Sequence, residues 1–270
     1  MTITTTTAHR EGPPLIPVRA TGWRGGLRNL LRKEMGQWWT TRMWWVQTLL
    51  WVLLLNGITT AVMLDTRGMT GDEVLRETVQ TFLLVAATAV GIGVVLTIQG
   101  AVVGEKEMGT AAWVMSKPAS RASFVLAKLI AHSVGFLATA IVVPSVVFLV
   151  EARFLMSAPI DYGSFGIGVA VVALSVVFYV ILTIALGTMF KGRGPVAGIA
   201  IGFILAGQFF KGMLPLPLVV ATPWLLGDVA SSFAIGTQPD FNRTTPIIAT
   251  VIASVVLAGL ALWRFEREEF

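Results

Sequence analysis

Four stretches of this chain, residues 43–64, 79–103, 129–150 and 165–190, contain no Asp, Glu, Lys or Arg. Each has at least the roughly 20 residues a helix needs to cross a hydrocarbon core about 30 Å thick. Two weaker candidates follow: residues 195–214, which contain Lys211, and residues 246–263, which number 18. Backbone amides in lipid must be satisfied within their own segment, so the runs are expected to be helices. The fold class is therefore an all-α integral membrane protein with six transmembrane helices. Composition excludes the soluble alternative, because 55% hydrophobic and 13% charged residues, with mean hydropathy +0.77, cannot cover a globule of 270 residues.

The basic residues set the expected orientation. With the N-terminus inside, fifteen of the 20 Lys and Arg fall on the inner side, and the outer loops keep five against eight acidic residues. The positive-inside rule then places both termini in the cytoplasm. The net charge of +5 is accounted for by topology, and no nucleic-acid partner is implied. With no Cys, the chain has neither disulfides nor thiolate chemistry.

Three segments outside the spans have character of their own. Residues 1–22, rich in Thr and Pro and without an apolar core, read as a disordered cytoplasmic tail and not as a signal peptide. Residues 23–42 form an amphipathic elbow helix: Trp23, Leu27, Leu30, Leu31, Met35 and Trp38 share one face, and Arg28, Asn29, Arg32 and Lys33 the other. Glu34 interrupts the apolar arc. A basic, aromatic membrane anchor, with Trp38, Trp39, Trp44 and Trp45 as belt residues, explains the same pattern. Between the last two spans, residues 212–245 include a 14-residue apolar part carrying Pro215, Pro217 and Pro223. That is too short and too broken to span, and it is expected to be re-entrant or interfacial. Residues 43–263 then form the six-helix membrane domain, and 264–270 a cytoplasmic tail.

The loop at residues 104–128 is charged and lies between two apolar runs. Its short acidic helix, with Glu105 and Glu107 ahead of Gly109-Thr110, precedes Ser116, Pro118, Ser120, Arg121 and Lys128. In this it resembles the cytoplasmic coupling segment of the permease subunits of type-2 (ABC-2) ABC exporters. The elbow with Lys33-Glu34 and Arg42, the order of spans and the apolar external interruption resemble that family too. The resemblance implies two permease subunits, identical or homologous, each resting on one of two copies of a separate ABC ATPase that carries the ATP and magnesium. It implies a prokaryotic plasma-membrane location, and an ATPase-docking set of Glu105, Glu107, Met108, Gly109, Thr110, Trp113 and Arg121. A groove accepting residues 105–115 would gain charge-assisted contacts to the glutamates and bury Met108, Trp113 or Met115. Taken singly, each Glu also reads as a solvated helix start and Trp113 as an interface anchor.

No catalytic set is legible. The chain lacks a G-x-x-x-x-G-K-[ST] loop, so it is not expected to be an enzyme or to bind a cofactor itself. His9 and His132 have no carboxylate or second His at helical spacing, so no metal site is expected. Polar residues inside spans usually face a bundle interior or a cavity, which makes Gln47, Asn56, Gln99 and Gln208 candidates for a translocation path; interhelical hydrogen bonding explains the amides equally well. Lys211, near the end of its span, is expected to snorkel. Gly194, Gly198 and Gly202 recur every four residues, a smooth stripe suited to helix packing or a dimer seam. Short external loops and a nearly charge-free bundle point to an amphipathic or lipid-like export substrate, with membrane lipid as a partner. The rival reading is a membrane protein that transports nothing: an anchor or assembly subunit for an ATPase, or an intramembrane enzyme. Asn242-Arg243-Thr244 matches a glycosylation acceptor pattern.

Overall fold

The structure is a computed structural model that describes residues 22, 24–65, 68–116, 119–156 and 159–268. Residues 1–21 of the expected tail, Trp23, Lys117 and Pro118 lie outside the described residues, as does the side chain of Met115.

Among the described residues every regular element is helical. Helix α1, Leu27–Trp39, is the elbow. The spans are α2 (Met43–Leu64), α3 (Gly71–Ile98), α6 (Arg121–Leu155), α7 (Tyr162–Met189), α8 (Arg193–Phe210) and α11 (Thr244–Glu266). Two short helices, α4 (Val103–Glu107) and α5 (Thr110–Met115), fill the loop between α3 and α6. The interruption before the last span holds α9 (Leu216–Val219), a 3-10 turn at Pro223–Leu225, and α10 (Leu226–Ala234).

The helix starts follow local chemistry. Thr70 and Glu73 form a capping box that begins α3 eight residues before the apolar run. Asp161 caps α7 by accepting from the Gly163 amide at 3.0 Å, and Ser120 caps α6 by accepting from the Ser123 amide at 3.0 Å. Asn242 of the glycosylation pattern has its Oδ1 occupied by the amide and hydroxyl of Thr244, where α11 begins. Two spans widen to π-helical turns, α2 at Val52–Asn56 and α6 at Leu137–Val142.

Helix α7 is the centre of the bundle, packed by α3, α6, α10 and α11. Lipid is as apolar as Leu, so these helices are held by shape and polar contacts more than by the hydrophobic effect. Shape is set where an aromatic ring lies on a glycine. A Cβ built on Gly93 would stand 2.2 Å from the Trp51 ring, on Gly91 2.7 Å from Tyr179, on Gly135 2.4 Å from Trp38, and on Gly207 2.4 Å from Trp224. Phe82, Phe148 and Phe165 stack where α3, α6 and α7 meet, with centroids 4.5 to 5.9 Å apart.

The interruption is not a seventh span. Its α10 lies against α3 and α7: Gly227 meets Leu84 and Ala87, and Gly168 of α7 meets the carbonyl of Ala230. Helix α8 buries only the face of Val196, Ala200, Ile204 and Gly207.

Candidate functional site

The loop between α3 and α6 is tied to the elbow by a buried ion cluster. Lys128, on the second turn of α6, is 2% exposed. Its Nζ lies 3.0 Å from Glu34 Oε1 of α1 and 2.8 Å from Glu105 Oε1 of α4. Lys33 Nζ closes the ring at 3.0 Å from Glu105 and 3.4 Å from Glu34. Burial works to raise the Glu105 carboxyl, but the ammonium of Lys128 and then that of Lys33 outweigh it and hold its pKa below the usual glutamate range. Burial likewise opposes the charge on Lys33, and the hydrogen bond and attraction of Glu105, aided by Glu34, leave its pKa raised. One turn further along α6, His132 accepts at Nδ1 from Trp38 Nε1 at 3.1 Å.

This explains the interruption noted in the elbow pattern. Glu34 sits in the apolar arc because that arc faces Lys128 and not lipid. Trp38 is 2% exposed and edge-on to Phe136, so it is a core residue and not part of an aromatic belt, whereas Trp39, Trp44 and Trp45 are exposed. The one signal in the sequence was the misplaced Glu34; its partner Lys128, 94 residues on, could not be named from it.

The residues expected to dock an ATPase are thus of two kinds. Glu105, expected to offer its carboxylate to a partner, spends its Oε1 on Lys128 and Lys33 because it lies on the inward side of α4. Thr110 donates to the Glu105 carbonyl at 3.1 Å, and Arg121 Nη1 donates to the Glu266 carbonyl at 2.6 Å. Met108 and Trp113 are 67% and 63% exposed. Glu107 is half-exposed, 3.5 Å from Arg193 Nε. Residues 105–115 fold as two short helices, broken at Gly109, whose φ of 67° is left-handed backbone that favours glycine. The C-terminal end closes on the same loop: Lys106 Nζ lies 3.1 Å from Glu268, and Phe124 and Phe265 stack at 4.9 Å.

Along α3 three cavities follow one another. One of about 390 Å³ is lined from Leu84 to Ile92, a second of about 400 Å³ from Ala89 to Thr97, and a third of about 400 Å³ from Leu96 through Gly104 and Glu105. Neighbouring cavities share residues: Ala89 and Ile92, then Leu96 and Thr97. The result is a groove beside α3 whose helical part, from Leu84 to Ile98, covers about 21 Å at 1.5 Å per residue, about two-thirds of a hydrocarbon core. Gln47, Gln99 and Gln208 line it, one in each cavity. Gln47 bridges Trp51 and Thr97, and Gln208 donates to Thr88 at 3.0 Å. Asn56 is apart from them. It is buried in the π-helical turn of α2, with no hydrogen-bond partner for either side-chain atom among the described residues.

Lys211 does not snorkel. It lies one residue past the end of α8, with Nζ 2.7 Å from Asp228 Oδ2 of α10. A Cβ on Gly194, Gly198 or Gly202 would meet nothing within 4 Å, so the stripe faces away from the rest of the chain. Among the described residues no group of three His, Cys, Asp or Glu is placed to hold a metal.

Comparison with known proteins agrees with this layout. The model of a family described as "ABC-2 family transporter protein" matches residues 28–270. A Bacillus subtilis (strain 168) protein, "Uncharacterized transmembrane protein YxlG", is 25% identical over 205 residues, which cover 74% of each chain.

Proposed function

The chain belongs to the ABC-2 family of transporter proteins, and from that membership we propose that it is the permease subunit of an ATP-driven exporter of amphipathic or lipid-like molecules. Membership makes it an integral membrane transport component associated, as a class, with an ATPase subunit. In the proposed complex two permeases, identical or homologous, rest on two ATPases that hold the ATP and magnesium. The complex sits in a prokaryotic plasma membrane with both termini of this chain inside.

The observation that carries the reading is the ion cluster, because it gives a docked ATPase something rigid to push. Met108, Glu107 and Trp113 form the exposed surface of the loop, where a groove on the ATPase would receive them. Behind that surface Glu105 is bound to Lys128 at the base of α6 and to Lys33 of the elbow. Movement of the loop is therefore passed to two elements instead of being absorbed by a flexible connection. ATP binding biases the bundle by favouring whichever state suits a closed ATPase pair. The groove along α3, apolar in its middle cavity and charged at the end lined by Glu105, Lys128 and Arg193, suits an amphipathic cargo. The outward-facing glycines of α8 suit a second subunit that would cover the groove.

Co-expression with a candidate ABC ATPase subunit tests this. Met108→Asp should abolish co-purification of the ATPase while leaving membrane insertion and thermal stability unchanged, since Met108 is exposed. Retained ATPase binding by Met108→Asp and by Glu107→Ala would remove the docking assignment. An ATPase that binds while no amphiphile changes its hydrolysis rate would favour the anchor reading.

A further inference from the structure

The cavity at the α8 C-terminal end of the groove is built differently from the other two. It lies between α3, α7, α8 and the 3-10 turn, and Leu84, Val85, Ala89 and Ile92 make it mostly apolar. From Leu84 to Ile92 the apolar wall is about 12 Å long at helical rise. A volume near 390 Å³ is at the lower end of those that hold small molecules.

Its polar end offers hydrogen-bond donors. Lys211 lines the cavity, whereas Asp228, which grips the ammonium at 2.7 Å, lies outside the lining. The carboxylate takes one N–H of the ammonium and leaves the other two for a ligand. Gln208 donates to Thr88 Oγ1, so the Thr88 hydroxyl hydrogen is free to donate in turn. The opposite wall is fixed, because Trp224 rests on Gly207 and spends its Nε1 on the Phe203 carbonyl at 3.0 Å. The cavity is half open, and the nearby Leu205 and Phe209 of α8 are exposed, so a ligand enters sideways from the membrane.

We propose that this cavity binds a single-chain amphiphile with an anionic head, the head on Lys211 and Thr88 and the tail along Leu84, Ala89 and Ile92. The cation, held at the end of a span above an apolar slot, selects the charge of the head; a cavity of about 390 Å³ selects one chain over two. The proposal deepens the export reading and rests on it for what the site is for, while occupancy itself requires no ATPase.

Photo-crosslinking of the purified full chain in phosphatidylcholine nanodiscs tests it, with a dodecyl phosphate bearing a diazirine on its tail. Label should map to residues 84–92. Unlabelled dodecyl phosphate should displace it, and inorganic phosphate and dodecyltrimethylammonium should not. Lys211→Gln should lower the label at these residues about tenfold, as loss of a charge-assisted hydrogen bond would. Lys211→Arg should keep it, and Ala89→Phe, which fills the slot and leaves the ammonium, should lose it. Equal displacement by the cationic amphiphile overturns the choice of head, displacement by inorganic phosphate overturns the tail site, and undiminished label in folded Lys211→Gln overturns the placement of the head on Lys211. If the label fails while amphiphile-stimulated ATP hydrolysis persists with the ATPase present, this site is wrong and the export reading stands.

Discussion

Replacing Lys128 by Met should destabilise the protein more than any comparable surface change, and its magnitude can be worked from the cluster. Two carboxylate oxygens lie 3.0 and 2.8 Å from Nζ. At an effective dielectric near 20, each contact corresponds to roughly 5–6 kcal/mol of Coulomb attraction. The desolvation of three buried ions offsets most of that, so the intact cluster contributes little net stability. Loss of one partner is a different matter. Glu34, 3% exposed, and Glu105 would face each other with only the half-exposed Lys33 between them, which costs about 3–5 kcal/mol. For a chain of this size that corresponds to a fall in Tm of roughly 6–20 °C, readable by thermal unfolding in a mild detergent. Adding Glu34→Gln to Lys128→Met removes the stranded charge and leaves Glu105 with Lys33, so the double variant should recover about half of the loss. Strict additivity of the two single changes, or a Lys128→Met protein that melts with the wild type, would refute the reasoning.

Acid should mimic part of this change: the Glu105 pKa is depressed on folding, so its contribution is present above the ordinary glutamate value of 4.5 and disappears as pH falls through the lower folded value. Melting curves between neutral pH and about pH 3 should show that loss in the wild type, and a smaller one in Glu105→Gln. Gly93→Ala puts a Cβ 2.2 Å from the Trp51 ring and should cost about 1–3 kcal/mol, whereas Gly198→Leu meets nothing in the chain and should leave monomer melting unchanged while altering the oligomer mass. A Cys placed at Ser120 should react with a membrane-impermeant thiol reagent only after the inner face is exposed; labelling of intact cells from outside would reverse the proposed topology.

The spans were legible because a helix in lipid must be apolar over its whole length, a rule that acts residue by residue and leaves its mark in the local sequence. Their ends were less so. Helix α3 starts at Gly71 because Thr70 and Glu73 cap it, and polar first turns lie outside any hydropathy window. The prolines at 215, 217 and 223 marked the interruption before the last span, but not that Trp224 would fold back onto Gly207. In the loop, Met108, Glu107 and Trp113 lie on the surface, while Glu105, the same residue type two positions from Glu107, is turned inward.

The class of the protein, the number of its spans and the place of the charged loop could be read from the residues alone, since each follows from the solvent a segment can tolerate. Which residues become partners was set by packing. Glu34, Glu105 and Lys128 read singly as an imperfection in a wheel, a helix start and a loop-end cation; Lys211 and Asp228 read as a snorkelling lysine and a loop acid. What joins them is a set of distances between residues 17 to 94 positions apart. Those distances depend on how the rings of Trp38, Trp51, Tyr179 and Trp224 seat on glycines of neighbouring helices, because close packing fixes the spacing of the helices, and that spacing brings the buried charges within reach of one another.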